Sequence, residues 1–344
     1  MTEQQRLHAA AVHLLRWYDA SRRILPWREL PTPYRVWVSE IMLQQTRVEA
    51  VKPYYERFLA ALPTVQALAE APEEQLMKLW EGLGYYSRVR NLQKAALVVC
   101  EQYGGELPHT SAELVKLPGI GPYTAGAIAS IACGEVCTAV DGNVLRVISR
   151  ILARDWDIKS NAVKQDVTGL VQQMIPSDRP GDFNQALMEL GAIVCLPNGA
   201  PDCAHCPWHD LCLTREQGRQ DEIPKKSAKK ARPVEQRTVY LLFCDGKVAL
   251  RRRPEKGLLA GLWEFPNVLE GQSPDFGVAL LEQTEGKRAK HIFSHVEWHM
   301  RGVTACVEQP DRAFYWATAQ ELREDIALPS AFRVYRTEAL KILE

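Results

Sequence analysis

Apolar residues recur at three- and four-residue spacing from Gln5 to about Leu213, as in Leu14, Leu15 and Tyr18, in Leu76, Leu79, Trp80 and Leu83, and in Leu187, Leu190 and Val194. That period puts them on one face of successive helices, and Pro or Gly punctuates the breaks, so the pattern predicts an all-α domain. Between Gly218 and Arg237 the apolar residues thin out and Lys225, Lys226, Lys229, Lys230 and Arg232 stand with Pro224 and Pro233, which reads as an exposed linker. Its basic character serves solubility as readily as contact with a polyanion. Beyond the linker the period switches to two. Thr238–Phe243 and Lys247–Arg251 flank Asp245-Gly246, a pair suited to a tight hairpin turn, and Val296, Trp298 and Met300 alternate in a further strand. Helical spacing returns at Ala319–Ile326 and around Val334–Leu343, which makes the second domain α+β. The expected division is a helical domain over 1–217, a linker over 218–233 and an α+β domain over 234–344.

The chain has 344 residues, ample for two such domains, and 46% of them are hydrophobic, so disorder throughout is excluded. Its longest apolar stretches, such as Ala95–Cys100, fall short of the ~20 residues of a membrane span. The first residues lack the pattern of a secretory signal, so a cytoplasmic setting is expected. With 42 basic and 42 acidic residues the net charge is zero, so any affinity for nucleic acid must come from local features.

Four of the nine cysteines fall between Cys195 and Cys212, in a loop interrupted by Pro and Gly directly after a helical run. Cys195, Cys203, Cys206 and Cys212 suit metal ligation better than cross-linking in so long a chain, and their spacing is compatible with a 4Fe–4S cluster or a structural zinc ion. Four thiolates complete a ligand set, so His205 and His209 are expected beside the metal or in solvent. The other five cysteines are expected as ordinary buried thiols.

Two further segments carry candidate chemistry. Leu117-Pro118-Gly119-Ile120-Gly121-Pro122-Tyr123-Thr124-Ala125-Gly126 sets two glycines in a turn before a helix of small residues. Such a turn either simply connects two helices or leaves bare N–H groups where a phosphate can bind. Shortly after it, Val140-Asp141-Gly142-Asn143-Val144-Leu145-Arg146 places a carboxylate at a helix start, where an N-cap would also sit. Near the N-terminus, Leu25-Pro26-Trp27-Arg28 precedes Val36-Trp37-Val38-Ser39-Glu40-Ile41-Met42-Leu43-Gln44-Gln45-Thr46. Here Ser39 reads as an N-cap with Glu40 in the first helical turn, where it complements the dipole.

Taken together these segments resemble the endonuclease III superfamily of DNA base-excision glycosylases, and within it the MutY family, over nearly the whole chain apart from the linker and 270–286. The resemblance implies two helical lobes with DNA in the cleft between them, a helix-hairpin-helix at Gly119 and Gly121, and a 4Fe–4S cluster on the four cysteines. It implies that Asp141 faces the positive charge that develops on the sugar and that Glu40 is the general acid that protonates adenine, with a pKa raised by burial among residues such as Trp37 and Met42. Tyr123 stands where bifunctional members carry a Schiff-base lysine, so the reaction should stop at the abasic site. Trp27 and Arg28 match part of the family's adenine pocket; Tyr123, Asn143, Gln185 and Glu189 match residues around it. Gln45 and the loop Gly82–Arg88 resemble the elements that fill the gap left by a flipped base, with Tyr85 inserted and Tyr86 packed between helices.

The C-terminal region, with Gly257–Pro266, resembles the Nudix-like domain that reads 8-oxoguanine opposite adenine. Phe293, Ser294 and His295, placed after a basic turn of Lys287, Arg288 and Lys290, match its guanine-contacting loop, with Ser294 as the hydrogen-bonding residue. The implied partner is double-stranded DNA bearing adenine opposite 8-oxoguanine or guanine, met by a monomer with no membrane attachment. Nucleotide hydrolysis is disfavoured because the acidic metal-binding run of Nudix hydrolases is missing. A non-catalytic DNA-binding protein would lack one of the two carboxylates, and a glycosylase/lyase would not carry Tyr123. The chain departs from the family at one point: seven residues separate Cys195 from Cys203, where the family has six. The additional residue falls in the Pro197–Pro201 loop and is expected to bulge outward.

Overall fold

The computed structural model describes residues 1–225, 231–277 and 279–344. Lys226, Lys229 and Lys230 of the basic linker lie outside the described residues. The contacts divide the chain into two compact units, Met1–Glu70 with Arg90–Ala228, and Ala71–Val89 with Lys229–Glu344.

The first unit is helical throughout. Helix α1 (Glu3–Ser21) opens with a reciprocal cap between Thr2 and Gln5, and α2 (Pro26–Glu29) is a single turn. There follow α3 (Pro33–Leu43), α4 (Val48–Ala61) and α5 (Val65–Glu70); α6 (Glu73–Trp80) belongs to the other unit; α7 (Ser87–Tyr103) and α8 (Ser111–Leu114) come next. Then come α9 (Pro122–Cys133), α10 (Gly142–Ile151), α11 (Asn161–Met174), α12 (Pro180–Glu189) and, past the cysteine loop, α13 (Leu213–Glu216). One group of helices, α1 with α10, α11 and α12, buries Leu14, Tyr18, Val144, Ile148 and Phe183. A second group around α3, α4, α7 and α9 buries Trp37, Tyr55, Phe58, Val99 and Ile128. The many contacts of α9 with α12 join the two lobes.

Helix α12 does not stop at Glu189 but runs into a π-turn, Leu190–Val194, that delivers Cys195. A Cβ added at Gly191 would come within 2.5 Å of the Asn143 Cβ, so glycine there permits the cysteine-bearing chain to lie against α10. The linker begins later than its composition indicates. Arg150, itself buried, donates to the carbonyls of Gln220 (2.9 Å) and Ile223 (2.8 Å), and the Lys225 N–H reaches the Trp156 carbonyl (3.1 Å). These bonds and the burial of Ile223 fold 220–225 onto the first unit.

In the second unit β1 (Val234–Cys244) begins four residues before Thr238, where the alternating pattern starts. It turns at Asp245 and Gly246, both with positive φ, into β2 (Lys247–Arg252), with Cys244 opposite Lys247. The remaining strands are β3 (Trp263–Glu264), β4 (Asn267–Leu269), β5 (Leu281–Ile292), β6 (Glu297–Cys306) and β7 (Tyr315–Ala317). They form a mixed sheet in the order β3-β2-β1-β6-β5, with β1 and β6 parallel and β4 and β7 pairing β1 and β2. Helices α14 (Ala319–Glu324) and α15 (Arg333–Leu343) bring Leu322, Tyr335 and Ala339 into a core with Val239, Leu241, Trp298 and Met300. Among the described residues no helix is long and apolar enough to cross a membrane.

Helix α6 and the loop after it join this unit through polar contacts. Glu81 accepts from the Leu328 N–H (2.9 Å) and from Arg336 (2.8 Å) and lies 3.2 Å from Lys78, whose ammonium caps the Arg323 and Ile326 carbonyls. Removing the carboxylate strands a buried amide and two cations, a loss of about 1.5–3 kcal/mol. Glu81→Ala is therefore expected to speed hydrogen exchange at the Leu328 amide by tenfold or more; unchanged protection would mean that α6 is held by its apolar contacts alone.

Candidate active site

Glu40 lies in the penultimate turn of α3, not in its first. The helix starts seven residues earlier than the sequence pattern indicates, because Thr32 caps the Arg35 N–H and Pro33 occupies the first position. Ser39 is therefore no cap, and its hydroxyl donates instead to the Val36 carbonyl (2.8 Å). Near the C-terminal end the helix dipole opposes a negative charge, so the placement raises the carboxyl pKa instead of lowering it.

The carboxyl is 6% exposed and accepts a 2.5 Å hydrogen bond at Oε2 from the Tyr123 hydroxyl, which also lies 3.1 Å from Met188 Sδ. Burial pushes Glu40 up to about 7, the Tyr123 bond works against that, and nearby Asp141 adds to it. Tyr123 sits in the first turn of α9, just past the helix-hairpin-helix. There Gly119 has φ +75°, and a Cβ on it would stand 2.7 Å from that of Asn91, so the turn requires glycine. Gly121 caps α9 with no side-chain bond, which leaves the first N–H groups of the helix open to an anion.

Asp141 is the N-cap of α10. Its Oδ1 accepts from the Asn143 and Val144 N–H groups (both 2.8 Å), and its Oδ2 from the Asn143 side chain (2.7 Å). Burial raises its pKa, opposed by these three donors and by Arg146, whereas Glu40 has the single hydroxyl of Tyr123 as donor. Tyr123, Asp141 and Gly142 line one open groove between α8, α9, α10 and α11, and the Tyr123 hydroxyl links Glu40 to it.

The remaining candidates of this unit are partly engaged with one another. Glu189, 1% exposed, binds Arg23 through both oxygens (2.7 and 2.8 Å) and Arg28 at 2.9 Å; burial alone would raise it, but the two guanidinium groups hold it at about 2. Gln185 accepts from Arg28 Nε (3.0 Å), Arg28 stacks over Tyr18, and Trp27 packs edge-on against Tyr55. Arg23 and Met188 were not foreseen, since nothing in their sequence neighbourhood sets them apart. Gln45 is exposed and has φ +62°, a strained value for a residue with a Cβ.

Cys195, Cys203, Cys206 and Cys212 line one pocket with Arg150 and His209. Among the described residues no three His, Cys, Asp or Glu groups close on a point that a single ion could occupy. The four sulfurs share this pocket, and both a structural zinc ion and an iron–sulfur cluster take such a thiolate set. Burial and the other three sulfurs push Cys206 up to about 12, so four thiolates here need a cationic centre. His205 pairs with Asp202 in solvent, and His209 bonds the Cys203 carbonyl (2.7 Å). Residues 197–200 are exposed, and the loop closes behind them where the Asp202 N–H meets the Val194 carbonyl (3.0 Å). Of the five other cysteines only Cys244 is buried; Cys306 is exposed and the rest are half-buried, in contrast to the expectation.

A chain of polar contacts leads from the cysteines to the carboxylate. Arg146 donates to the Cys195 carbonyl (2.9 Å), the Gly191 carbonyl (2.8 Å) and Asn143 Oδ1 (2.8 Å), while Asn143 in turn holds Asp141. One turn on, Arg150 reaches Cys195 Sγ (3.2 Å) and the Leu196 carbonyl (2.8 Å). The sequence offers a signal for this pair: two arginines four residues apart on an otherwise apolar helix.

In the second unit, Phe293–Val296 forms the turn between β5 and β6, closed by the Phe293 N–H on the Val296 carbonyl (2.9 Å). Phe293 packs against His291 and Trp298, while Ser294 and His295 are exposed. Lys287, Arg288 and Lys290 lie within β5 and not in a turn, because that strand pairs with β6 over Arg288–Ile292. Tyr85 is exposed at φ +49° in a loop held by Trp80 and Arg88, and Tyr86 is buried.

The sequence matches the HhH-GPD superfamily of base excision DNA repair proteins over residues 38–173 and the NUDIX domain over residues 238–337. Adenine DNA glycosylase of Homo sapiens is 37% identical, over 94% of this chain and 73% of that protein. The chain belongs to the adenine DNA glycosylase family. The family member of Schizosaccharomyces pombe is 34% identical over 90% of this chain and 85% of its own length. Among solved structures, a thermostable thymine-DNA glycosylase superposes with TM-score 0.58 and 29% identity over 62% of this chain and 98% of that one. A non-covalent endonuclease III–DNA complex superposes with TM-score 0.55 and 25% identity over 63% and 99%. Both cover little more than the helical part of this adenine DNA glycosylase family member.

A carboxyl whose folded pKa exceeds its unfolded value contributes stability below about pH 4.5 that is lost as pH rises through about 7. Glu40→Gln removes that dependence. At pH 8 the variant is expected to be more stable than wild type, by at most roughly 3 kcal/mol, and the difference should vanish at pH 4.5. Parallel unfolding curves at the two pH values check this; an equal gain at both would remove the buried-acid account.

Proposed function

We propose that the chain hydrolyses the N-glycosidic bond of adenine opposite 8-oxoguanine or guanine in double-stranded DNA and leaves an abasic site. The observation that carries the reading is a pair of carboxyls, Asp141 lining the groove and Glu40 joined to it through the Tyr123 hydroxyl. Burial pushes Glu40 up to about 7, so that it is protonated in part at neutral pH. Protonated Glu40 gives its proton to the departing adenine, at N7, as the bond from N9 to C1′ breaks. Asp141 stays ionised and faces the positive charge on the sugar. The carboxylate left on Glu40 then takes the proton of the water that adds to C1′. Tyr123 stands in the hairpin where bifunctional members carry the lysine that forms a Schiff base, so no efficient strand-cleaving step follows.

The open N–H groups at the start of α9 suit a phosphate, and the strained, exposed Gln45 and Tyr85 suit insertion into the stack beside the flipped base. Trp27, Arg28, Gln185 and Glu189 support the adenine pocket, and Ser294, exposed at the tip of its turn between Phe293 and His295, reads the oxidised guanine. All these groups belong to one chain, which fits a monomer. A cytoplasmic setting suits the nine free thiols. Cys195, Cys203, Cys206 and Cys212 would hold a 4Fe–4S cluster, which would cross-link the loop and through it brace Arg146 and Asn143, with Arg150 facing the sulfurs.

Single-turnover assays on duplexes with adenine opposite 8-oxoguanine, guanine or thymine test the reaction. Adenine release from the first two alone, breaks only after alkali, and loss of activity in Glu40→Gln are expected; breaks without alkali, or a surviving variant, would point to a glycosylase/lyase or to another acid. The rate should fall as pH rises through about 7, as Glu40 loses its proton. Anaerobic reconstitution with iron and sulfide should give a brown protein with broad visible absorption, and Cys206→Ser should not retain it. A colourless, zinc-loaded protein would overturn the cluster.

A further inference from the structure

The geometry points to a second DNA-docking surface, for the sugar–phosphate backbone, on the solvated half of the sheet face built by β1, β6 and β5. It rests on the reading that this chain works on duplex DNA. Strand register sets Arg288 directly opposite Arg301 and Lys290 directly opposite His299. Side chains two apart on a strand share a face, so both pairs point the same way, and Thr238 and Gln236 of β1 extend the two rows. The opposite face of the same strands carries Ala289, Trp298 and Met300 into the core. Arg288, Lys290 and Arg301 are exposed, and with Gln236, Thr238 and His299 they line an open trough.

Like charges directly across a strand pair destabilise a sheet, so two such pairs side by side weaken this fold unless something else favours them. The lower row is partly neutralised: Glu297 binds both Lys290 and His299. The upper row is not. Arg301 donates to Thr238 Oγ1 (2.9 Å), which orients it along the face, and among the described residues neither Arg288 nor Arg301 has a carboxylate within ion-pair distance. Glu270 also lines the trough, and its backbone N–H is bound to Gln236.

The occupant follows from charge and place. Starting from the turn that carries Ser294, the same face runs through the pairs Ile292–Glu297, Lys290–His299 and Arg288–Arg301. A strand of DNA whose base meets Ser294 carries phosphates past that turn, and a row of unpaired guanidinium groups is the chemistry that takes them up. The trough is open and extended, its lining includes no Phe, Tyr or Trp on which a free base could stack, and its one imidazole, His299, is held by Glu297. Since the whole chain is neutral, attraction to DNA must be concentrated in patches such as this one.

The test is the salt dependence of binding by the full chain to a duplex with a non-hydrolysable adenosine analogue opposite 8-oxoguanine, and to the same duplex with guanine. Each phosphate contact contributes about 0.9 to the slope of log affinity against log salt. Arg288→Gln with Arg301→Gln is expected to flatten that slope by about 1.8 on both duplexes, with the excision rate at saturating enzyme unchanged. Either single substitution should leave the melting temperature equal to or above that of wild type, because a repulsive pair is relieved. An unchanged slope overturns the proposal, as does a loss confined to the 8-oxoguanine duplex, which would make the arginines part of base reading. Competition by 8-oxo-deoxyguanosine triphosphate that both substitutions abolish would overturn it in favour of a free-nucleotide site. If wild type releases no adenine yet the slope changes as expected, the reading of the reaction fails and the docking surface stands.

Discussion

Two carboxyls linked through the Tyr123 hydroxyl are buried with very different sets of hydrogen-bond donors. Both are desolvated, and burial favours the neutral form of each. What separates them is the supply of donors. Asp141 receives three N–H bonds because it caps a helix, where unpaired amides are obligatory, whereas Glu40 receives one hydroxyl and sits at the wrong end of its own helix for a charge. The N-cap and catalytic readings of Asp141 are thus compatible, since the cap bonds are the ones that oppose the upward push of burial on its pKa.

Because the cap fixes Asp141 to α10, whatever fixes α10 fixes the chemistry. Arg146 and Arg150 tie that helix to the cysteine loop and to 220–225, and the π-turn with Gly191 brings the loop close enough for those bonds to form. Arginine suits the task, since its planar fork meets several carbonyls at once while its charge faces the sulfurs. The cysteine loop, which does not touch Asp141 directly, can in this way determine where its carboxylate points.

Much of this was legible in the sequence, and the failures share a cause. Periodicity found the helices and the Asp245-Gly246 hairpin because each buries one face, and the glycines, Asp141 and Glu40 lie in compact motifs. Local pattern misplaced the start of α3, because Ser39 and Thr32 both look like caps and only packing decides between them. It also read 220–225 as linker, since bonds from Arg150 to backbone carbonyls leave no trace in those residues' side chains. Lys287, Arg288 and Lys290 passed for a turn because a strand with one face in water carries charge as freely as a loop does. The Arg23–Arg28–Glu189 cluster joins residues more than 150 positions apart, beyond the reach of any spacing rule.

The outward bulge at 197–200 bears on how such proteins are found. The peptide hydrogen bond from Asp202 to Val194 sets the geometry of the cysteine loop, and the residues it encloses project into water, so their number is decoupled from the distances between sulfurs. A search that demands a fixed count of residues between the first two cysteines would pass over this chain, for a difference carried by residues that face the solvent.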